Sequence, residues 1–260
     1  MSADPADRPF FIGWAPAAPR TLRRFLFGVS ALLVVLFVGL GALLGGVADD
    51  PAGAGFAQTA GQAPFALPET ETVSGRFVAT PYPLLVLPPD ARHPHGRSML
   101  LAGGGKYGLA DGYAALDGRM VRASGFMTAR GSLAMLATDA LPSLLDEPVP
   151  PPPEVQPLGR WRLTGEICDG KCASGAMRPG TGLAHRACAV LCIAGEIPPV
   201  FVTTAPVAGH GFLLLAGPDG GPMPPALRDR IGLRVRLDGL LERQGDILVF
   251  RADPASAAWP

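Results

Sequence analysis

The sequence predicts a mainly β protein: two small β barrels in tandem behind one N-terminal transmembrane helix, with a short α-helical Cys/His insertion in the second barrel. Three observations predict it. An uncharged apolar run stands near the N-terminus, two blocks of short strand-like segments resemble one another, and all four cysteines fall within one stretch of the second block.

The apolar run is "FLFGVSALLVVLFVGLGALLGGV", residues 25–47. A helix rises about 1.5 Å per residue, so this length crosses a hydrocarbon core of about 30 Å. Arg20, Arg23 and Arg24 precede it, and Asp49 and Asp50 follow. The positive-inside bias therefore predicts that residues 1–24 are a cytoplasmic tail and that the rest of the chain is periplasmic, with the helix in a bacterial inner membrane. A cleavable signal peptide is the alternative, since "GVA" at 46–48 offers small residues. The run exceeds the usual h-region of about 7–15 residues, which favours a retained anchor.

Residues 48–65 are small and polar with Pro and Gly, the composition of a flexible tether. Residues 147–157, "EPVPPPPEVQP", form a second, stiffer linker of polyproline type. Two domains result, 66–146 and 158–256, each of a size that folds alone.

The two domains align with each other. At a shift of 114, "LLAG" (100–103) falls on "LLAG" (214–217), and "VRASGFMTARGSLAMLATD" (121–139) on "VRLDGLLERQGDILVFRAD" (235–253). These segments predict an internal repeat. Each reads as two strands about a turn, with Gly131 and Gly245 supplying positive φ. Earlier strands are "TVSGRFVA" and "YPLLVLP" in the first copy, "RLTGEIC" and "PVFVT" in the second. About five short strands per domain fit an OB-like barrel, with small β-sandwiches as the alternative. The first strands match at a shift of only 90, so the second copy carries an insertion, 169–196.

That insertion is "DGKCASGAMRPGTGLAHRACAVLCIAGE", with Cys168 at its lip. "LAHRACAVLCIAG" predicts a short helix stopped by Gly195. His185, Cys188 and Cys192 are spaced i, i+3 and i+7, which is one helix face; Leu191 and Ala184 share that side and predict that it faces the barrel. Two chemistries remain open. In an oxidising compartment an even cysteine count favours disulfides among Cys168, Cys172, Cys188 and Cys192. Cys188 and Cys192, on consecutive turns, are poorly placed to bridge each other, so cross pairings from helix to turn are preferred. Alternatively, Cys172, His185, Cys188 and Cys192 form a Cys3His set suited to zinc or copper. A reactive pair, Cys188 and Cys192 activated by His185, is the third reading, though no thioredoxin-like pattern accompanies it.

The string "GEICDGKC…HRACAVLC…GEIPPVFV", with "GPDG" and the closing "VRLDGLLERQGDILVF", resembles a widespread group of uncharacterised bacterial secreted or membrane-anchored proteins over residues 162–253. Their pattern is G-x-[IV]-x-D-[ST]-x-C, then H-x-x-C-x-x-x-C and a β hairpin. The resemblance maps onto Asp169, Cys172, His185, Cys188 and Cys192. It implies that Cys168 stands where the group carries an aliphatic residue, and Gly170 where it carries Ser or Thr. Three shared cysteines are awkward for disulfides alone and favour a metal.

Other classes find little support. Net charge is zero, with 20 Arg and two Lys, Lys106 and Lys171, which gives no case for nucleic acid. "LAGGGKYG" (101–108) fails as a nucleotide phosphate loop, because Tyr follows the Lys and the spacing is short, and it reads as a glycine-rich turn. His93 and His95 read as part of an exposed loop, and Asp139 and Asp253 as strand-end turn formers. No GxSxG or HExxH pattern is present, and the sequence makes no positive case for an enzyme. The function expected is a membrane-anchored binding or accessory module, associated with a membrane protein complex of redox type.

Overall fold

The computed structural model describes residues 20–47, 70–91, 93 and 96–259. The tether 48–65 and most of the predicted tail lie outside them. Helix α1, Arg20–Val47, contains the apolar span Leu22–Leu43, with mean hydropathy 2.6. It is long and apolar enough to cross a membrane.

The remaining described residues are mainly β. The first sheet comprises β1 (Thr70–Val78), β2 (Leu84–Leu87), β3 (Arg97–Ala102), β4 (Met120–Arg130), β5 (Leu133–Ala137) and the short β6 (Ser143–Leu144). Their order is β1-β2-β3-β5-β4-β6, and β1 also pairs with β4. The second sheet comprises β7 (Val155–Asp169), β8 (Pro199–Val207), β9 (His210–Ala216), β10 (Arg234–Gln244) and β11 (Ile247–Ala258), closed as a five-strand barrel β10-β11-β9-β8-β7. Closure leaves no unpaired edge. In both sheets the third and fifth of these strands run parallel, β3 with β5 and β9 with β11.

Alternation in the sequence places the core. Along β10 Val235, Leu237 and Leu241 point inward, and along β11 Leu248 is buried and Phe250 meets Phe201 of β8. Gly131 and Gly245 sit at φ 55° and 59° in the β4–β5 and β10–β11 turns, where a side chain would be strained. Strand β7 begins at Val155, so the last residues of the expected linker are already in the barrel.

The two sheets share apolar contacts. Leu84, Leu100, Leu133 and Met135 of the first pack into the same buried cluster as Val200, Phe212 and Leu214 of the second. Each such side chain contributes about 1.5–3 kcal/mol by leaving water. Polar links cross as well. Ser98 N–H donates to Asp246 Oδ1 at 2.8 Å, and the Thr128 and Ser174 hydroxyls meet at 2.6 Å. The proline segment is pinned at both ends: Arg76 donates to Pro150 O, and Gly245 N–H to Glu154 O.

Between β7 and β8 the chain leaves the barrel. It forms a π-helical turn, Cys172–Ala176, and then helix α2, Arg186–Ala194, before β8. The helix closes with Gly195 as its C-terminal cap residue.

Candidate metal centre

The insertion is anchored where β7 ends. Asp169 is fully buried, and its Oδ1 accepts the Cys172 N–H at 2.8 Å, which starts the turn carrying Cys172. An Asp closing such a turn on a backbone N–H two or three residues on is a favoured local arrangement. Farther along, Gly182 N–H donates to both Glu166 oxygens at 2.8 and 2.9 Å. Burial raises the Glu166 pKa, while that bond and the charge of Arg234 oppose the rise. Helix α2 then begins at Arg186, whose guanidinium donates to Ile231 O and ties the helix to the barrel.

The four cysteines separate into two groups. Cys172, Cys188 and Cys192 come together, with Sγ–Sγ distances of 3.8 Å for Cys172–Cys188 and 3.9 Å for Cys188–Cys192, and all three sulfurs within 4.8 Å of one another. Cys168, Asp169 and His185 form a second trio, entirely buried. All four are free thiols in this structure, and no disulfide joins them.

His185 therefore stands apart from the thiols with which its spacing grouped it. It is the residue before α2, and its ring turns to the end of β7. Nδ1 lies 3.5 Å from Cys168 Sγ, and Nε2 3.5 Å from Asp169 Oδ2. The Cys168 thiol donates to Gly180 O at 2.8 Å. The buried side of α2 also differs from the expectation. Leu191 is 58% exposed and Ala184 exposed, whereas Ala189 and Cys192 face inward. Arg186 bonds to Ile231 O and Ala189 packs into the core, so the helix presents Leu191 to solvent and turns Ile193 toward the barrel.

Two residues that the sequence did not point to complete the thiol site. The Lys106 ammonium, carried by the glycine-rich loop of the first sheet, donates to Cys188 Sγ at 2.7 Å and lies 3.8 Å from Cys192 Sγ. The Lys171 ammonium donates to Gly103 O and Gly105 O of the same loop at 2.7 and 3.0 Å. These are the chain's only two lysines. Close backbone packing fixes the loop: Gly108 N–H donates to Gly195 O at 2.6 Å, and a Cβ at Gly108 would meet Glu196 O at 2.6 Å. A usable signal was the rarity of lysine in an arginine-biased chain, with both copies flanked by glycine.

The electrostatics separate the two groups further. Cys192 is lowered to about 7, first by the hydrogen bond from Cys172 and then with help from the Lys106 charge, against the opposing burial. The same bond, with burial, pushes the Cys172 thiol up. Burial, followed by the neighbouring Asp169 charge, pushes Cys168 up strongly. Burial lowers His185 and keeps its ring neutral. Lys106 is raised by its bond to Cys188, and Lys171 is lowered by burial.

Comparison with known proteins finds no family, no curated relative and no solved structure that matches the chain. The chemistry of the site rests on its own geometry. Thiolates about 2.3 Å from a zinc ion in tetrahedral array stand about 3.8 Å apart. The Cys172–Cys188 and Cys188–Cys192 separations match that edge. Soft thiolates select zinc or copper(I) over magnesium or calcium. A disulfide needs its sulfurs about 2.05 Å apart.

The other sequence candidates lie elsewhere. His93 bonds to Asp90 in an exposed loop, 3.2 Å from Nδ1 to Oδ1. Asp253 Oδ1 accepts from Ala255 N–H at 2.9 Å, as a turn former does.

Proposed function

We propose that the chain is a membrane-anchored periplasmic binding or accessory module of two OB-like barrels, the second carrying a soft-metal site. Cys172, Cys188 and Cys192 are the ligands, and zinc or copper(I) is the ion. The observation that carries this reading is the pair of Sγ–Sγ separations, 3.8 and 3.9 Å, which match thiolates around one ion. The OB-like assignment is supported by the circuit common to both sheets, first strand to second, third, fifth, fourth and back to the first. The periplasmic assignment is supported by the arginines before α1 and the aspartates after it. The inner membrane and a membrane protein complex of redox type are the partners this placement favours.

The test is the intact mass of the full chain under native and denaturing conditions, with a thiol count. One metal equivalent lost on denaturation, with all four thiols free, is the expected result. A denatured mass short of four hydrogens, with no free thiol, means two disulfides and ends the metal reading.

A second reading is thiol–disulfide chemistry. It is favoured by the Cys172–Cys188 contact and by the lowered Cys192. Its mark would be a thiol count that follows the glutathione redox poise.

A further inference from the structure

The thiol trio is three-fold, not four-fold. Among the described residues no carboxylate or imidazole joins Cys172, Cys188 and Cys192; the nearby Asp169 and His185 belong to the other trio. A structural zinc site closes with four protein ligands, whereas three ligands leave one position for an outside molecule. Access exists on one side only: Cys172 and Cys192 are buried, while Cys188 and Lys106 are part-exposed.

What stands on that side is a cation. Lys106 Nζ, 2.7 Å from Cys188 Sγ and 3.8 Å from Cys192 Sγ, lies beside two of the three ligands. Its loop is held by Gly108 N–H on Gly195 O, so the ammonium is placed by the fold rather than by a free side chain alone. Three thiolates around a divalent ion leave one negative charge, which Lys106 cancels. Lys171, bonded to Gly103 O and Gly105 O of the same loop, places a second ammonium near Cys192, Cys172 and Asp169. The site is then close to neutral, and an arriving anion meets no net repulsion.

Building on the metal reading above, we propose that the open side of the trio is a subsite for a small soft anion. The anion takes the fourth position on the divalent ion and pairs with the Lys106 ammonium. Thiocyanate and azide represent the class. A soft donor suits an ion already held by sulfur, and a charge-assisted hydrogen bond from Lys106 adds affinity.

The experiment uses the full chain in detergent, reduced and loaded with one equivalent of cobalt(II) as a coloured stand-in for zinc. Thiocyanate and azide are titrated at constant ionic strength against perchlorate. The expected result is a saturable change in the cobalt d–d bands with thiocyanate or azide and none with perchlorate. Lys106→Met should weaken anion binding about tenfold, and Lys106→Arg should restore most of it. A wild-type spectrum indifferent to both anions overturns the subsite, as does Lys106→Met binding them as tightly as wild type. Failure of the metal reading looks different: the wild type would then show no sulfur-to-cobalt charge-transfer band at all.

Discussion

Asp169 Oδ2 and His185 Nε2 face each other at 3.5 Å with both side chains fully buried. Neither atom makes a hydrogen bond among the described residues. The Asp169 carboxylate is thus held between the imidazole on one oxygen and the Cys172 N–H on the other. His185 thus neighbours Cys168 and Asp169, and Asp169 in turn meets the turn that carries Cys172.

Replacing His185 should therefore cost stability before it costs metal. His185→Ala removes the ring packed against a buried carboxylate oxygen, at a cost of about 1–3 kcal/mol. Urea unfolding should show that loss, while metal analysis still finds one equivalent per chain. Loss of the metal would instead make His185 a ligand.

The same ring predicts an acid dependence. Burial holds the folded His185 below its ordinary 6.5, so the unfolded chain binds the proton more readily. The sign follows from linkage: stability is complete above 6.5 and falls as the pH drops from there toward the lowered folded value. Unfolding curves between about pH 7 and 5 should show this slope, and His185→Gln should flatten it.

The cysteines should divide by substitution. Cys172→Ser, Cys188→Ser and Cys192→Ser should each abolish stoichiometric binding of one metal ion, while Cys168→Ala should retain it. Cys168 instead supports the fold through Gly180 O, so Cys168→Ala should lower stability by about 1 kcal/mol. Equal metal loss in all four variants would contradict the division into two trios.

In the metal-free reduced chain one thiol should ionise early. Cys192 is lowered to about 7 while Cys172 is pushed up. Ultraviolet thiolate absorbance should rise by a single group as the pH passes about 7. The step should disappear in Cys192→Ser.

Packing between the first sheet and the barrel gives a last test. A Cβ at Gly170 would lie 3.0 Å from both Met135 Cε and Pro198 O. Gly170→Ala should destabilise by about 1–3 kcal/mol through overpacking. Met135→Ala, which opens a cavity at the same place, should cost about 2–5 kcal/mol. Calorimetry on each variant measures both.

What could be read from the sequence was local. Alternating residues marked the hairpin strands, Gly131 and Gly245 marked their turns, and Gly195 marked the end of α2. The change of alignment shift located the departure between β7 and β8. Contacts between distant segments were not readable. Lys106 meets Cys188 across 82 positions, and no short pattern records that approach. His185 has the helical spacing of a ligand, but as the residue before α2 it turns toward β7 and lies beside Cys168 and Asp169. Leu191 misled for a related reason: the buried face of so short a helix is set by its anchors, Arg186 and Ala189, and not by the spacing of one leucine.

The glycine-rich loop that carries Lys106 also limits how the molecule could be taken apart. The second barrel alone would keep the three sulfurs and lose the ammonium beside them. The first sheet alone would keep an ammonium with nothing to face. The centre is joint property of both halves, so neither could be traded into another chain with its chemistry intact.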